Sequence, residues 1–417
     1  MRTLFPTLRK SSALVLGLLF TLCVPAFSQV LPKSDPHLFD QVPFDQWMNE
    51  GPRNQIPLKY HVYDAQLSIY QRLVVHIQIL VEGKELAKRG EQGDLLALVQ
   101  ITDGSNHMAH DALKLELPKI APQLNKKTDV MFEFDAFVLP GAYTLTLAVD
   151  HTGAGEHSLM QHPIQVNALK NDPLPEMWHD LPALEFLTHI EPPDPDTFFH
   201  PELKGTLNLP VETRRPVNVE LLADVTAADL FRGSSSRYMR YLYALLPVVH
   251  TFTQMKLKQG AMDFFTLDLT RHRVVFEQDG LTTLDWAKMK KTVSTTEPAV
   301  ISVGNLSKEP PSPDFLREEI GRLIAKSVNE TPQVFIVITS PLFLHSFRNL
   351  KSDPLPATCN CRVFYIEFDT SRRGVPSDAT GQLEKMLKPL KVQSFRAHNA
   401  EAVRQALARI IHELESY

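Results

Sequence analysis

Cysteine is almost missing: the chain has three in 417 residues, and Cys23 lies in a segment expected to be removed. The remaining pair, Cys359 and Cys361, cannot found a disulfide-stapled scaffold, which needs several cysteines spread along the sequence. Glycine is sparse as well, at 17 residues. There is no Gly-x-Ser-x-Gly elbow, no His-Glu-x-x-His and no phosphate-cradling glycine loop, so the familiar signatures of hydrolases, zinc peptidases and nucleotide enzymes are lacking. Neither sign of charge dominates, with 43 Lys and Arg against 48 Asp and Glu. A chain this mildly acidic is not built for a nucleic-acid partner.

Long apolar runs are also lacking, with one short exception at the start. Arg2, Arg9 and Lys10 precede the apolar run Ala13 to Val24 and the small-residue stretch Pro25-Ala26-Phe27-Ser28. These are the three parts of a secretory signal. Residues 1–28 are therefore expected to be cleaved and the remainder secreted or periplasmic. The run is shorter than the roughly 20 residues a spanning helix needs, and no other run approaches that length, so no membrane insertion is expected after cleavage. Leu22 stands before Cys23 where a lipid-attachment site wants a small residue.

What is present divides the chain by pattern. Residues 29–57 form a lead-in with Pro32, Pro36, Pro43, Pro52 and Pro57, expected to lie over the surface pinned by Phe44 and Trp47. Over 58–170, short apolar runs recur between turn-rich breaks. Several alternate strictly, as in Val75-His76-Ile77-Gln78-Ile79 and Tyr143-Thr144-Leu145-Thr146-Leu147, which is the half-buried strand pattern. Seven such strands in so short a span predict an immunoglobulin-like antiparallel β-sandwich. Pro140-Gly141 reads as a turn in which proline presets the first position and glycine supplies a positive φ. His107, His110, His151, His157 and His162 are read as ordinary surface histidines, since unpaired polar residues are mostly exposed.

Residues 171–214 are a Pro-rich linker that also carries Trp178, Phe186, Phe198 and Phe199. A disordered tether would lack those aromatics, so a semi-rigid strap is expected. Residues 215–417 then alternate strands with helices, the pattern of a doubly wound, mostly parallel α/β domain. Its opening stretch, PVNVELLADVTAAD from Pro216 to Asp229, is a strand buried on both faces that delivers Asp224, Thr226 and Asp229 into the following turn. A long helix is predicted from Tyr238 to Leu257, and further strands include 261–269, 273–276, 299–303, VFIVIT (334–339) and VFYIEF (363–368).

This order resembles the von Willebrand factor type A (VWA) fold. The resemblance rests on the strand ending in Asp224, on VFIVITS (334–340), and on the closing SFRAHNAEAVRQALARI (394–410). FDQWMNEGPRNQIPLKYHVYDAQLSIYQRL (44–73) and LLALVQITD (95–103) resemble the front region of secreted bacterial proteins described as VWFA-related. The resemblance implies a divalent-metal site at the carboxyl edge of the sheet. Of its ligand pattern, Asp224 is kept and Thr226 can stand for a serine, but Ala228 offers no oxygen and Ser340 occupies the place of an aspartate. Asp229 is a possible substitute. A Mg²⁺ site reduced to one carboxylate and a few hydroxyls binds weakly, because such ions are held chiefly by charged oxygens; no metal or other cofactor is expected to be obligatory.

Cys359 and Cys361 read as two thiols ahead of a strand, with a bridge between them or to another chain as alternatives; so close a pair reaches bridging geometry only with difficulty. Asp103, Asp111, Asp268 and Glu367 are acids that nothing in the sequence pairs. The functional expectation is an exported, non-enzymatic scaffold that meets a protein partner at the sheet edge around Asp224, Thr226, Asp229 and Ser340. The alternative is an exported metal-dependent binder or hydrolase with a site between the two domains.

Overall fold

The computed structural model describes residues 33–120, 129–187, 205–226, 245–269, 271–293, 314–326, 331–340, 359–369 and 378–417. Residues Pro32–Tyr417 form one compact unit.

The front half is two antiparallel sheets face to face. Its strands are β1 (Lys33–Ser34), β2 (Arg53–Asn54), β3 (Leu58–Val62), β4 (Gln66–Leu67), β5 (Leu73–Val81), β6 (Asp94–Asp103), β7 (Met108–Glu116), β8 (Val130–Val138), β9 (Gly141–His151), β10 (Glu156–Val166) and β11 (Leu184–Leu187). One sheet runs β1-β7-β6-β9-β10-β2 and the other β11-β8-β5-β3, with β4 on β5. The alternation in β5 puts Val75, Ile77 and Ile79 inside against Ala97, Val99, Leu145 and Leu147 of the opposite sheet. That is what period-two patterning requires of a half-buried strand.

The lead-in covers the outer face of the larger sheet. Helix α1 (Phe44–Glu50) buries Phe44 and Trp47 against Leu96, Leu98, Ala148 and Leu159, and the Trp47 indole stacks on His157 with ring centroids 4.2 Å apart. We expect Trp47→Ala to cost about 3 kcal/mol, the lower end for losing a large buried aromatic. The loss should expose 44–50 to limited proteolysis well before the sheets unfold; cleavage no faster than in the unaltered protein would mean that another contact holds the segment.

The Pro-rich stretch is stitched into both neighbouring structures. Its β11 pairs antiparallel with β8, and its β12 (Leu209–Val211) pairs parallel with β14 (Met255–Leu257). Ahead of β11, Trp178 is buried and donates its indole N–H to the Gln71 carbonyl at 2.6 Å, and within β11 Glu185 pairs with the buried Arg72. The predicted helix 238–257 therefore ends early: residues 245–253 are helical and Met255–Leu257 turn into a strand.

The last sheet is β16 (Arg273–Gln278), β15 (Gly260–Asp268), β13 (Val217–Asp224), β17 (Gln333–Thr339), β18 (Cys361–Phe368) and β19 (Gln393–Ala397), in that order. Helices pack against it: Asp314–Lys326 and Asp378–Leu387 beside Leu222, Phe335 and Tyr365, and Ala400–Glu415 beside Ile336 and Phe364.

The expected fold class is corrected here. A sandwich followed by a doubly wound, mostly parallel domain does not describe the molecule: among the described residues most strand pairings are antiparallel, and the last sheet is mixed. The physical reason lies in the β15–β16 connection. A link of four residues cannot make the crossover that parallel neighbours need, so these strands form an antiparallel hairpin, with a bulge between Thr266 and Leu267. The predicted strand 299–303 lies outside the described residues. Gly141 is corrected as well: it opens β9 without a positive φ.

Candidate functional site

Strands β15, β13, β17 and β18 run in the same direction, so their carboxyl ends meet along one edge of the sheet. Asp224 closes β13, Asp268 closes β15, Ser340 follows β17 and Asp369 follows β18. All four are buried, at 2%, 1%, 4% and 3% exposure. None of them therefore offers its side chain directly to solvent.

Asp224 is spent on its own turn. Its Oδ1 accepts the Thr226 backbone N–H at 2.9 Å and also the Thr226 hydroxyl. Short acids and hydroxyls favour such local bonds over continued strand, which is why the chain turns here. The Thr226 Oγ1 in turn accepts the Leu269 backbone N–H at 2.7 Å, while Val225 N–H donates to the Leu267 carbonyl. One carboxylate thereby ties the end of β13 to the end of β15.

The second oxygen, Asp224 Oδ2, is buried and has no hydrogen-bond partner among the described residues. Burial pushes the Asp224 carboxyl up to about 7, with the neighbouring Asp268 adding to the rise and the Thr226 bonds opposing it. Burial also raises Asp268, but Arg271 and Arg273 oppose it: Arg271 binds it through its backbone N–H at 3.1 Å and its guanidinium at 3.2 Å, and the Arg273 Nε lies at 3.8 Å.

The structure puts Asp224, Thr226 and Ser340 at the ends of adjacent parallel strands. Asp229 lies outside the described residues. The sequence marks Asp268 only as an unpaired acid; its signal is its position, last in an apolar strand that neighbours the one ending in Asp224. Among the histidines, His107 and His110 are exposed, but the surface reading is corrected for His151 and His157, which are buried. His151 accepts the Ala154 N–H at 3.1 Å, and His157 lies under Trp47.

The edge does not fit a divalent cation well. Hard cations need several charged oxygens. Here Asp224 Oδ2 is a single orphaned oxygen, the Thr226 hydroxyl is engaged at both ends, and Asp268 is neutralised by two guanidinium groups. No cluster of three or more His, Cys, Asp or Glu side chains among the described residues is arranged to hold a metal ion.

Cys359 and Cys361 are joined by a disulfide, with Cα atoms 5.1 Å apart. That separation lies inside the ordinary range of about 4.4–6.8 Å, so the preferred reading as two free thiols does not describe this structure.

No family model matches the sequence, and no curated protein is similar to it. Among solved structures the chain is similar to the ArnB paralog VWA2 from Sulfolobus acidocaldarius, at a TM-score of 0.27 and 9% identity over 64% of this chain. It spans about half of that protein, 49% of its length. It is also similar to the PilB minor pilin from Streptococcus sanguinis (TM-score 0.28, 8% identity, 76% of this chain and 87% of that one). A third likeness is to the pilus adhesin SpaC from Lactobacillus rhamnosus GG (TM-score 0.26, 10% identity, 67% and 34%).

Proposed function

We propose that the protein is an exported interaction scaffold, not a catalyst, and that it holds a protein partner at the carboxyl edge of the mixed sheet without an obligatory metal. The observation that supports this reading is the Asp224–Thr226–Leu269 network. It commits the most chemically distinctive acid of the edge to fixing two adjacent strand ends. Binding surfaces gain affinity when their ordering cost is met before the partner arrives, and a buried carboxylate that locks the turn does that. Asp224 is in this reading a positioning residue: it shapes the edge and does not touch the partner.

The test is to capture the partner from an envelope extract by photo-crosslinking, purify it, and measure its binding by calorimetry to the unaltered protein, to Asp224→Asn and to Asp224→Ala. Asp224→Asn keeps an oxygen for the Thr226 bonds and should bind as the original does. Asp224→Ala should stay folded, as checked by circular dichroism, and bind about tenfold more weakly, the effect of one lost preorganising bond network. Affinity should be the same in EDTA and in excess Mg²⁺. Equal binding by the folded alanine variant would remove this edge from the interaction, and loss of binding in EDTA would overturn the metal-free reading.

A further inference from the structure

The Cys359–Cys361 disulfide lies at the opposite, amino end of the sheet. Cys361 opens β18, is 6% exposed, and pairs in register with Gln333 at the start of β17. Cys359 is partly buried, with the exposed Asn360 between them. A bridge stabilises chiefly by restricting the unfolded chain, and the effect grows with the length of the loop it closes. Closing a loop this short restricts very little, so the bond contributes little as a staple.

Gln333 supplies the second observation. Its side chain is buried, and its amide nitrogen donates both protons, to Glu220 Oε1 at 3.1 Å and to the Leu323 carbonyl at 3.2 Å. Those two bonds fix the amide, leaving its oxygen 4.0 Å from the Cys361 sulfur. A disulfide sulfur has no proton to give. A thiol does, so the carbonyl of Gln333 gains a donor when the bridge opens.

We propose that Cys359–Cys361 is a reversible thiol–disulfide exchange site that accepts two electrons from a protein dithiol. The dithiol's thiolate attacks the more accessible Cys359 sulfur, forming a mixed disulfide; the Cys359–Cys361 bond breaks and its electron pair leaves on Cys361, which takes up a proton. The second thiol of the partner, deprotonated, then attacks the partner's first sulfur and releases Cys359 as a thiolate, which is protonated in its turn. The net change is one disulfide reduced to two thiols here and one dithiol oxidised to a disulfide there, with the two thiol protons transferred. The reduced Cys361 is held by its bond to Gln333, and it is stabilisation of the reduced form that makes a disulfide oxidising.

The experiment equilibrates the full chain in buffers of reduced and oxidised glutathione, quenches with a maleimide–polyethylene glycol, and reads the open fraction by gel shift. Circular dichroism is recorded alongside to confirm the fold, with Cys359→Ser and Cys361→Ser as standards for the singly labelled form. The bridge should open in excess reduced glutathione while the protein stays folded, and reclose when the ratio is reversed. Gln333→Met removes the acceptor and should shift the opening equilibrium a few-fold, up to about fivefold, toward the disulfide, the worth of one hydrogen bond. A bridge that stays closed in excess reduced glutathione, or that opens only as the fold is lost, would overturn the proposal. So would a folded Gln333→Met variant with an unshifted equilibrium; the result for the unaltered protein stands whether or not that variant folds.

Discussion

Replacing Arg404 with alanine is expected to lower the stability of the protein by about 3–5 kcal/mol, the usual consequence of removing one member of a buried ion pair. Arg404 lies on the last helix, Ala400–Glu415, at 2% exposure. Its Nε reaches Asp172 Oδ1 at 2.6 Å and its Nη2 reaches Asp172 Oδ2 at 2.7 Å and the Leu174 carbonyl at 2.8 Å. The guanidinium also lies 4.7 Å from the Trp178 ring centre. The bidentate fork and the flat contact with an aromatic ring are properties of arginine that lysine does not share, so Arg404→Lys should fail almost as badly.

The loss has two sources. Asp172, half-buried, would lose its partner, and the segment carrying Leu174 to Trp178 would lose its hold on the last helix. Burial tends to raise Asp172, but the Arg404 bonds and charge, with the Leu174 N–H, outweigh it and hold the carboxyl below its usual range. A depressed carboxyl contributes stability above its unfolded value and loses it as pH falls through the folded one, so this contribution should fade below about pH 4. Urea unfolding of Arg404→Ala, Asp172→Ala and the double variant gives the coupling directly. Two single losses that simply added would mean that the pair is not a unit, and an Arg404→Ala loss under about 1 kcal/mol would discard the clamp altogether.

The second large effect has the opposite pH sign. Burial raises Asp224 to about 7 and Glu220 to about 7, the latter against a hydrogen bond from Gln333. Where a folded carboxyl lies above its unfolded value, the native state binds more protons over the interval, and stability falls as pH rises. Asp224 moves from 3.8 to about 7, on the order of 4 kcal/mol when converted at about 1.4 kcal/mol for each factor of ten. We expect unfolding free energy in urea to drop by roughly 3 kcal/mol between about pH 5 and pH 8 on account of Asp224, with Glu220 adding to the fall. Asp224→Asn should flatten its share of the slope and leave the protein more stable than the original at the alkaline end. A variant whose pH profile parallels the original would show that Asp224 is ionised in the native state. The Arg404–Asp172 pair and these buried acids together predict a stability maximum in mildly acidic solution.

How far this could be read in advance depends on what each feature rests on. Periodicity located the sandwich strands, since β5 alternates residue by residue and must put one face inside. It could not locate β14, because Met255 and Leu257 satisfy a helical stripe as well as a short strand, and only pairing with Leu209–Val211 decides between them. Parallel and antiparallel pairing is likewise a property of connections: the short link at Leu269–His272 carried that information, and the apolar strands on either side did not. At the candidate site, the strand-ending Asp224 was visible because it interrupts an apolar run. Its company was not, because Asp268, which carries Arg271 and Arg273 with it, comes from a neighbouring strand more than forty residues along. Nor could the sequence distinguish a carboxylate facing a partner from one spent on its own turn. The Cys359–Cys361 bond shows the same limit, since closeness in sequence favoured two thiols, whereas the strand start holds their backbones at an ordinary bridging distance.

The central place of β17 has a consequence for what happens when the molecule opens. Its VFIVIT stretch is uncharged, rich in β-branched residues, free of proline and wholly buried, which is the make-up of a segment that stacks into amyloid-like zippers. In the native sheet both of its edges are taken, by β13 and by β18. Sheet position thus conceals a strongly self-associating sequence, and whatever frees β17 exposes two unpaired edges at once. Heating should therefore end in precipitation whose rate follows the unfolding step, and the protein's shelf life will be set by how seldom its innermost strand is uncovered.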